Sequence, residues 1–277
     1  MIKKCNKKGW YNKMKRMDVI KEALQDTSLS SVHIIPVEKK GLRCTDSKFG
    51  GDFYLPEGKE APVGEDGEAM EFLAQIRLSQ MPHLEGFPKE GLLQFFLCTR
   101  GDVMEEMDEG ELVSKGHFRV VYYPEITGEE TSACEDKLPK ERWGMEKWIK
   151  GMRFEQTKEV ATLSVEGTDL GYEHAMKMLT PKLLLKAGYD LSDCPDTDQF
   201  FADFGNWGCK VGGHPAIRQG DVRQEEEMYQ AYTTLLFQMD FTTGEELEAD
   251  TFVFFIKPED LAKRNFEDVL LYWHNCY

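Results

Sequence analysis

The chain has 277 residues and a formal net charge of −16, with 41% apolar and 30% charged residues. This balance is ordinary for a globular protein with a sizeable core, and no apolar run reaches the roughly 18 residues of a membrane span. The excess of acids argues against nucleic-acid binding, because phosphate neutralisation requires an excess of Lys and Arg. We therefore expect neither a membrane nor a nucleic-acid partner.

The first segment, residues 1–17, carries seven Lys and Arg side chains and no acidic one. This composition predicts a basic, flexible N-terminal arm. The apolar segment of a secretory signal does not follow it. The seven cysteines are widely spaced, as is typical of reduced thiols rather than a disulfide framework. These features favour a cytoplasmic protein.

Residues 18–277 predict a single domain in which strands dominate. Alternating or continuous apolar runs predict strands, in chain order, at Val32–Glu38, Phe72–Leu78, Leu92–Leu97, His117–Tyr123, Leu235–Phe241, Phe252–Ile256 and Val269–Tyr277. Helical patterns predict helices at Asp18–Asp26, Glu141–Met152, Tyr172–Gly188 and Lys257–Asn265.

Two segments of the chain echo each other. "FGGDFYLPEG" at Phe49–Gly58 and "VGGHPAIRQG" at Val211–Gly220 share a Gly-Gly pair and a later glycine. The offset is 162 residues from Gly50 to Gly212, 163 from Gln75 to Gln238 and 159 from Phe95 to Phe254. Three ordered matches at a nearly constant offset predict an internal duplication.

The duplication predicts the architecture. We expect repeat 1 at about 32–125, a connecting helical region at about 141–188 and repeat 2 at about 200–277. A half of this size with a bare sheet edge is marginal alone. The predicted fold class is therefore α+β, with two mainly antiparallel units and their helices packed as one pseudo-two-fold domain.

A set of segments in this order resembles the bacterial YwqG-like family: "FGGDFYLP", "FLAQIRL", "GLLQFFL", "VGGHPAIRQGDVR", "LLFQMD" and "VFFIKPEDLAKRNFEDV". The resemblance runs from about Val32 to the C-terminus. It implies a duplicated α+β unit without an established activity, often encoded near contact-toxin and immunity loci. The chain departs from the family at Phe53, where members often have proline, and at Thr242–Asp250, where many have a Trp-Gly-Asp turn.

The glycine pairs and the glutamines have two interpretations each. Gly50, Gly51, Gly212 and Gly213 are predicted turn residues with positive φ, or bare loops that a ligand approaches. Gln75 and Gln238 are either buried amides that bind their own loop or the lining of a shared groove. A charge follows each glutamine by two residues, Arg77 in one copy and Asp240 in the other, and we expect these two to pair across the symmetry axis.

His214 follows the second glycine pair and completes the candidate ligand-binding set of Gln75, Arg77, Gln238, Asp240 and His214. The histidines do not form a zinc motif, and phosphate or dinucleotide fingerprints are missing, so we predict neither a metal nor a cofactor. Catalytic motifs are equally missing. The favoured function is a soluble cytosolic binding module, of which an immunity-type protein is one form. Its partner is a protein or peptide, and the acidic charge of the chain favours a basic one. The alternative is an enzyme with a polar site at the junction of the two repeats.

Overall fold

The computed structural model describes residues 22, 24–65, 67–98, 111–113, 115–127, 148–161, 205–217, 221–240 and 251–274. Within these ranges eleven strands form one sheet, and each pair of neighbours is antiparallel. The strands are β1 (Leu29–Val37), β2 (Lys48–Phe49), β3 (Glu71–Arg77), β4 (Leu92–Leu97), β5 (Glu111–Val113), β6 (Phe118–Tyr123), β7 (Lys150–Glu159), β8 (Lys210–Gly212), β9 (Thr234–Asp240), β10 (Thr251–Ile256) and β11 (Val269–His274).

Apart from the edge strand β5, the sheet has four strands on each side of a central pair. The sheet runs β5-β11-β10-β9-β8-β1-β7-β2-β3-β4-β6, so that β1 and β7 lie in the middle. On one side of this pair lie β2, β3, β4 and β6, and on the other lie β8, β9, β10 and β11, followed by β5 at the edge. The matched segments of the two predicted repeats therefore occupy corresponding places on either side of β1 and β7.

The sheet curves until its two halves face each other across one core. The Phe95 ring on β4 lies 4.4 Å from Phe237 on β9 and 4.9 Å from Phe254 on β10, between ring centroids. Six strands separate β4 from β10 in the sheet, so these rings meet across its concave side. Each fully buried ring of this kind contributes about 1.5–3 kcal/mol of transfer free energy. The contact between the halves is thus what nearly closes the sheet.

The predicted α+β class is wrong, because the structure is mostly antiparallel sheet. The described residues contain two short α-helices, α1 (Val222–Glu225) and α2 (Pro258–Lys263). Helix α2 confirms the prediction at Lys257–Asn265: Pro258 stands at its first turn with two acids, and Arg264 ends it in the left-handed conformation. Three-residue 3-10 turns occur at Gln25–Thr27, Leu78–Gln80 and Glu227–Tyr229.

The helix predicted at Glu141–Met152 is wrong at its end, where Lys150–Met152 begin the ten-residue strand β7. The rest of that segment up to residue 147, the helix at Tyr172–Gly188 and the arm at 1–17 lie outside the described residues. Among the residues that are described, no helix combines the length and the apolar character needed to cross a membrane.

Candidate functional site

Both glycine pairs follow a buried lysine that begins a short strand. The first turn reads Lys48-Phe49-Gly50-Gly51-Asp52 and the second reads Lys210-Val211-Gly212-Gly213-His214. Strand β2 pairs Lys48 with Gly151 of β7, and β8 pairs Lys210 with His33 of β1. Both lysines are fully buried. We call these segments the first turn (48–52) and the second turn (210–214).

All four glycines have positive φ, at 59° and 72° for Gly50 and Gly51 and at 68° and 76° for Gly212 and Gly213. This is the left-handed region that L-residues with a side chain rarely adopt. The chain reverses there and brings residue 52 or 214 back over the end of the buried lysine. The glycines therefore set the position of the groups around each lysine.

Gln75 and Gln238 bind the backbone of the loop around each turn. Gln75 Nε2 donates to the carbonyl oxygens of Cys44 and Asp46 (2.5 and 2.7 Å), and its Oε1 accepts from the Tyr54 amide (3.2 Å) and from Gln94 Nε2 (3.0 Å). All four hydrogen-bonding sites of this amide are thus used by the chain. The side chain serves to hold the loop.

Gln238 repeats the same arrangement in the second half. Its Nε2 donates to the carbonyl oxygens of Asn206 and Gly208 (3.2 and 2.8 Å), and its Oε1 accepts from the Ala216 amide (2.8 Å). Asn206, Gly208 and Ala216 stand at the same spacings from Gly212 as Cys44, Asp46 and Tyr54 do from Gly50. Both glutamines are fully buried, so the two loops are fixed by equivalent bonds.

The ammonium of Lys210 has a complete set of acceptors. Its Nζ lies 3.1 and 3.0 Å from the two carboxylate oxygens of Glu159, which comes from the end of β7, and it also donates to the His214 carbonyl oxygen. An ammonium has three N–H donors. The chain itself therefore satisfies this buried charge.

Glu159 is in turn held by two further donors. His33 Nε2 donates to Oε1 (2.5 Å), and the His214 amide donates to Oε2 (3.0 Å). Burial of Glu159 acts to raise its pKa, but the Lys210 ammonium and the hydrogen bonds from His33 and Lys210 outweigh that effect and lower the pKa. The carboxylate is therefore ionised at neutral pH and forms a buried ion pair.

The first turn carries an equivalent lysine, Lys48, with a different partner. Lys48 Nζ lies 2.5 Å from Asp52 Oδ1, and the Asp52 side chain is 48% exposed. In the described part of the chain, no other residue bonds to the Lys48 ammonium. Two of its three donors thus have no acceptor among the described residues.

Different side chains cover the two turns. A β-carbon added to Gly213 would collide with the Glu159 carboxylate and lie 2.8 Å from Ser31 Cβ, whereas one added to Gly51 would lie 3.1 Å from Ile149 Cδ1. Ile149 is 45% exposed. A buried ion pair therefore closes the second turn, and a half-exposed apolar side chain and Asp52 cover the first.

The five predicted ligand-binding residues are divided between the two halves of the sheet: Gln75 and Arg77 lie on β3, Gln238 and Asp240 lie on β9, and His214 follows β8. His214 Nε2 donates to the Thr27 carbonyl oxygen (2.7 Å). Asp240 is buried and accepts from the Gly208 amide (2.8 Å) and the Thr251 hydroxyl (3.2 Å). Arg77 is half-buried at the end of β3, and the ion pairs of the described residues do not join it to Asp240.

Sequence reasoning missed the four charged or titratable residues around the turns: Lys48, Lys210, Glu159 and His33. The two lysines had a signal, since each stands two residues before its glycine pair. Glu159 and His33 had none, because they are brought to the second turn by the pairing of β1 with β7. Both are distant from Lys210 in the chain.

Metal and thiol chemistry receive no support from the described residues. These residues do not gather three His, Cys, Asp or Glu side chains into a ligand set. Cys44, Cys98 and Cys209 are buried and are not in disulfide bonds, and burial raises the pKa of the Cys209 thiol far above its usual value. That thiol is a poor nucleophile at neutral pH.

Comparison with known proteins gives a family but no activity. No curated protein matches the chain. The model of a family described as a domain of unknown function (DUF1963) matches residues 47–276, from just before the first turn to the end of the last strand and beyond. The match includes both glycine turns and both of the buried lysines. The chain therefore belongs to the DUF1963 family, whose function is not known.

Proposed function

We propose that the protein is a binding module for a basic protein or peptide. The observation that carries the proposal is a pair of acidic loops, each of which follows one of the turns and exposes an apolar side chain. In residues 57–68, Glu57, Glu60, Glu65 and Glu68 are exposed, and Val63 in their midst is 45% exposed.

The second loop has the same character. Glu226 and Glu227 are exposed beside Met228, whose exposed fraction of 69% is the highest of the large apolar side chains in the described residues. An exposed apolar side chain ringed by charge is the usual composition of an interface anchor and its rim. The carboxylates give that rim a preference for a positively charged partner.

The charge of the rest of the chain supports the same partner. Seven of the 34 Lys and Arg residues lie in residues 1–17, which contain no acid, so residues 18–277 carry 27 cations against 50 acids and a net charge of −23. A field of this sign steers a basic partner toward the surface and accelerates association, an effect that salt weakens.

The test begins with affinity capture from the source cells, followed by reconstitution of the complex from purified components. Met228→Ser and Val63→Ser should each weaken binding about tenfold or more if these side chains are anchors. The matched control is Leu29→Ser, because the Leu29 side chain has the same 45% exposure as Val63 and lies outside both loops. Equal affinities for all three variants would contradict the proposal.

Charge variants separate steering from anchoring. The double variant Glu226→Gln, Glu227→Gln should slow association and reduce its salt dependence. The control is the double variant Glu259→Gln, Glu267→Gln, which makes the same charge change near α2, outside both loops. An association rate that does not depend on salt, or a partner that is itself acidic, would remove the electrostatic part of the proposal.

Three finer statements belong to the same proposal. The ordered segments quoted above support a place within the bacterial YwqG-like family. The buried cysteines Cys44, Cys98 and Cys209 are not in disulfide bonds, which is typical of a reducing compartment and supports a cytoplasmic location. On the resemblance alone, an immunity-type protein that captures a single partner is the form of binding module we favour.

A further inference from the structure

The first turn contains hydrogen-bond donors that the described part of the chain leaves unused. Lys48 is fully buried, yet its ammonium has one protein acceptor, Asp52 Oδ1, among the described residues. The Asp52 backbone amide has no acceptor within that part of the chain either. A buried ammonium with unfilled donors is unfavourable, and such donors are normally satisfied.

The second turn shows which group completes such a set of donors. There the Glu159 carboxylate accepts from Lys210 Nζ and from the His214 amide. Lys48 Nζ and the Asp52 amide are the corresponding donors of the first turn, since both turns have the same spacing and both glycine pairs have positive φ. The first turn thus has the donors for a carboxylate, but no described residue takes the place that Glu159 has at the second turn.

The sheet register explains the missing carboxylate. Lys210 pairs with His33, which pairs with Glu155, and Glu159 lies four residues beyond Glu155 on β7. Lys48 pairs with Gly151, which pairs with Val37, and the residue four positions beyond Val37 is Gly41. Gly41 has no side chain, β1 has ended before it, and a β-carbon there would meet nothing within 4 Å.

The local charge at the first turn is opposite to that of the whole protein. Around it stand five cations and three acids in the segments 38–52 and 148–151, namely Lys39, Lys40, Arg43, Lys48 and Lys150 against Glu38, Asp46 and Asp52. The net charge of +2 there contrasts with −16 for the chain. This local excess of positive charge favours an anionic ligand.

We propose that the first turn binds the carboxylate group of a ligand between Lys48 Nζ and the Asp52 amide, in the manner in which the second turn holds Glu159. The ligand displaces the half-exposed Asp52 side chain from Lys48, and Ile149 contacts its carbon atoms. This site is separate from the acidic loops and does not rest on the proposed basic partner. The carboxylate comes either from a small organic acid or from the C-terminus of a polypeptide.

The test is an amide NMR titration of the full chain with sodium acetate, against sodium chloride at equal ionic strength. Acetate up to about 100 mM suffices, because a single ion pair with one hydrogen bond gives affinities in the millimolar range. The Gly51 and Asp52 signals should move and saturate, while those of Gly213 and His214 stay in place. Equal movement at both turns, or no saturation at the first, would overturn the proposal.

Two variants test the displacement. Asp52→Ala removes the internal competitor and should tighten acetate binding about tenfold. Glu85→Ala removes an exposed carboxylate outside the first turn and the acidic loops, with the same change in net charge, and should leave the affinity unchanged. Lys48→Met should abolish binding. If that variant fails to fold, the Asp52→Ala and Glu85→Ala pair decides alone, and equal affinities overturn the site.

A last comparison separates the two sources of the carboxylate. A short neutral peptide with a free C-terminus should bind at least as tightly as acetate. Tighter binding supports a polypeptide C-terminus, because the peptide adds contacts beyond the carboxylate, and equal binding supports a small acid. The same peptide with an amidated C-terminus should not bind. Binding of the amidated peptide as tightly as the free one would overturn the proposal.

Discussion

Lys210 and Glu159 form a buried ion pair in which the ammonium lies 3.1 and 3.0 Å from the two carboxylate oxygens, with the side chains 0% and 6% exposed. The pair joins β8 to the end of β7 and thus fixes the second turn to the central strands of the sheet. Because both charges are buried, each depends on the other for its stability.

Removal of one partner should therefore be costly. We expect Lys210→Met to lower the free energy of unfolding by about 3–5 kcal/mol, since it leaves the Glu159 carboxylate buried and unpaired. Lys115→Met is the control, because Lys115 is 61% exposed in its pair with Asp268 and an exposed pair contributes at most about 1 kcal/mol. Denaturant unfolding measures both, and equal losses would contradict the buried pair.

The carboxylate of Asp46 predicts a loss of stability in acid. Burial acts to raise its pKa, but hydrogen bonds from the Arg43 amide and side chain and from Gln80, with Lys39 nearby, lower the pKa from 3.8 to about 2. A folded pKa below the unfolded one gives stability that is present above pH 3.8 and lost as the pH falls toward 2.

The matching experiment is urea unfolding across that interval. Asp46→Asn should be less stable than the unaltered protein at pH 5 and should lose less stability between pH 4 and pH 2, because the titrating group is gone. Parallel pH profiles for the two proteins would show that Asp46 does not supply the effect. The control is Asp26→Asn, which changes the charge equally at an exposed position.

The sequence predicted the strands with clear apolar patterns and missed those without them. Predicted Leu92–Leu97 coincides with β4, and the predicted runs at Phe72 and Leu235 differ by one residue from β3 and β9. Strand β7 could not be recognised, because Arg153 and the positions from Glu155 to Lys158 are exposed and polar. The α+β class failed with it, because the sequence predicts a helix where β7 begins. The duplication itself stays a prediction, to which the structure adds the equivalent bonds of Gln75 and Gln238.

The candidate site was predictable only where it is local in sequence. The glycine pairs and the glutamines repeat at fixed spacings in the sequence. These spacings predicted the positive φ values of the glycines and the loop contacts of the glutamines. The partner of Lys210 depends on how far β7 extends beyond the glycine turn, which is a property of the sheet register. No spacing in the sequence connects Glu159 with residue 210, and the difference between the turns was therefore invisible.

Gly213 and Gly58 test whether a turn glycine is required for space as well as for backbone conformation. Their φ values are nearly equal, at 76° and 75°. A β-carbon on Gly213 would collide with Glu159 and crowd Ser31, but one on Gly58 would meet nothing within 4 Å. We expect Gly58→Ala to cost about 1 kcal/mol from strain alone and Gly213→Ala to cost at least about 2–3 kcal/mol, because overpacking adds to the strain.

Thermal and denaturant unfolding of these two variants give the comparison directly. Equal losses of stability would show that the Glu159 carboxylate moves aside without cost, and the second turn would then be less rigid than its hydrogen bonds indicate. A change in the slope of the denaturant curve, as distinct from its midpoint, would indicate an altered denatured state instead.

Arg77 and Asp240 occupy matching positions two residues after the two glutamines, but their surroundings differ. The Asp240 carboxylate is buried and accepts from the Gly208 amide and the Thr251 hydroxyl, whereas the Arg77 amide donates to Ser47 Oγ and its side chain is half-buried. We expect Asp240→Ala to cost about 1–3 kcal/mol, because it leaves buried donors unsatisfied, and Arg77→Ala to change stability by about 0.5 kcal/mol or less. Since the two side chains are not paired, the double variant should equal the sum within about 0.5 kcal/mol. A coupling energy above about 1 kcal/mol in the double-mutant cycle would support the predicted pairing of Arg77 with Asp240. Additive effects would indicate that Asp240 acts only by fixing the second loop.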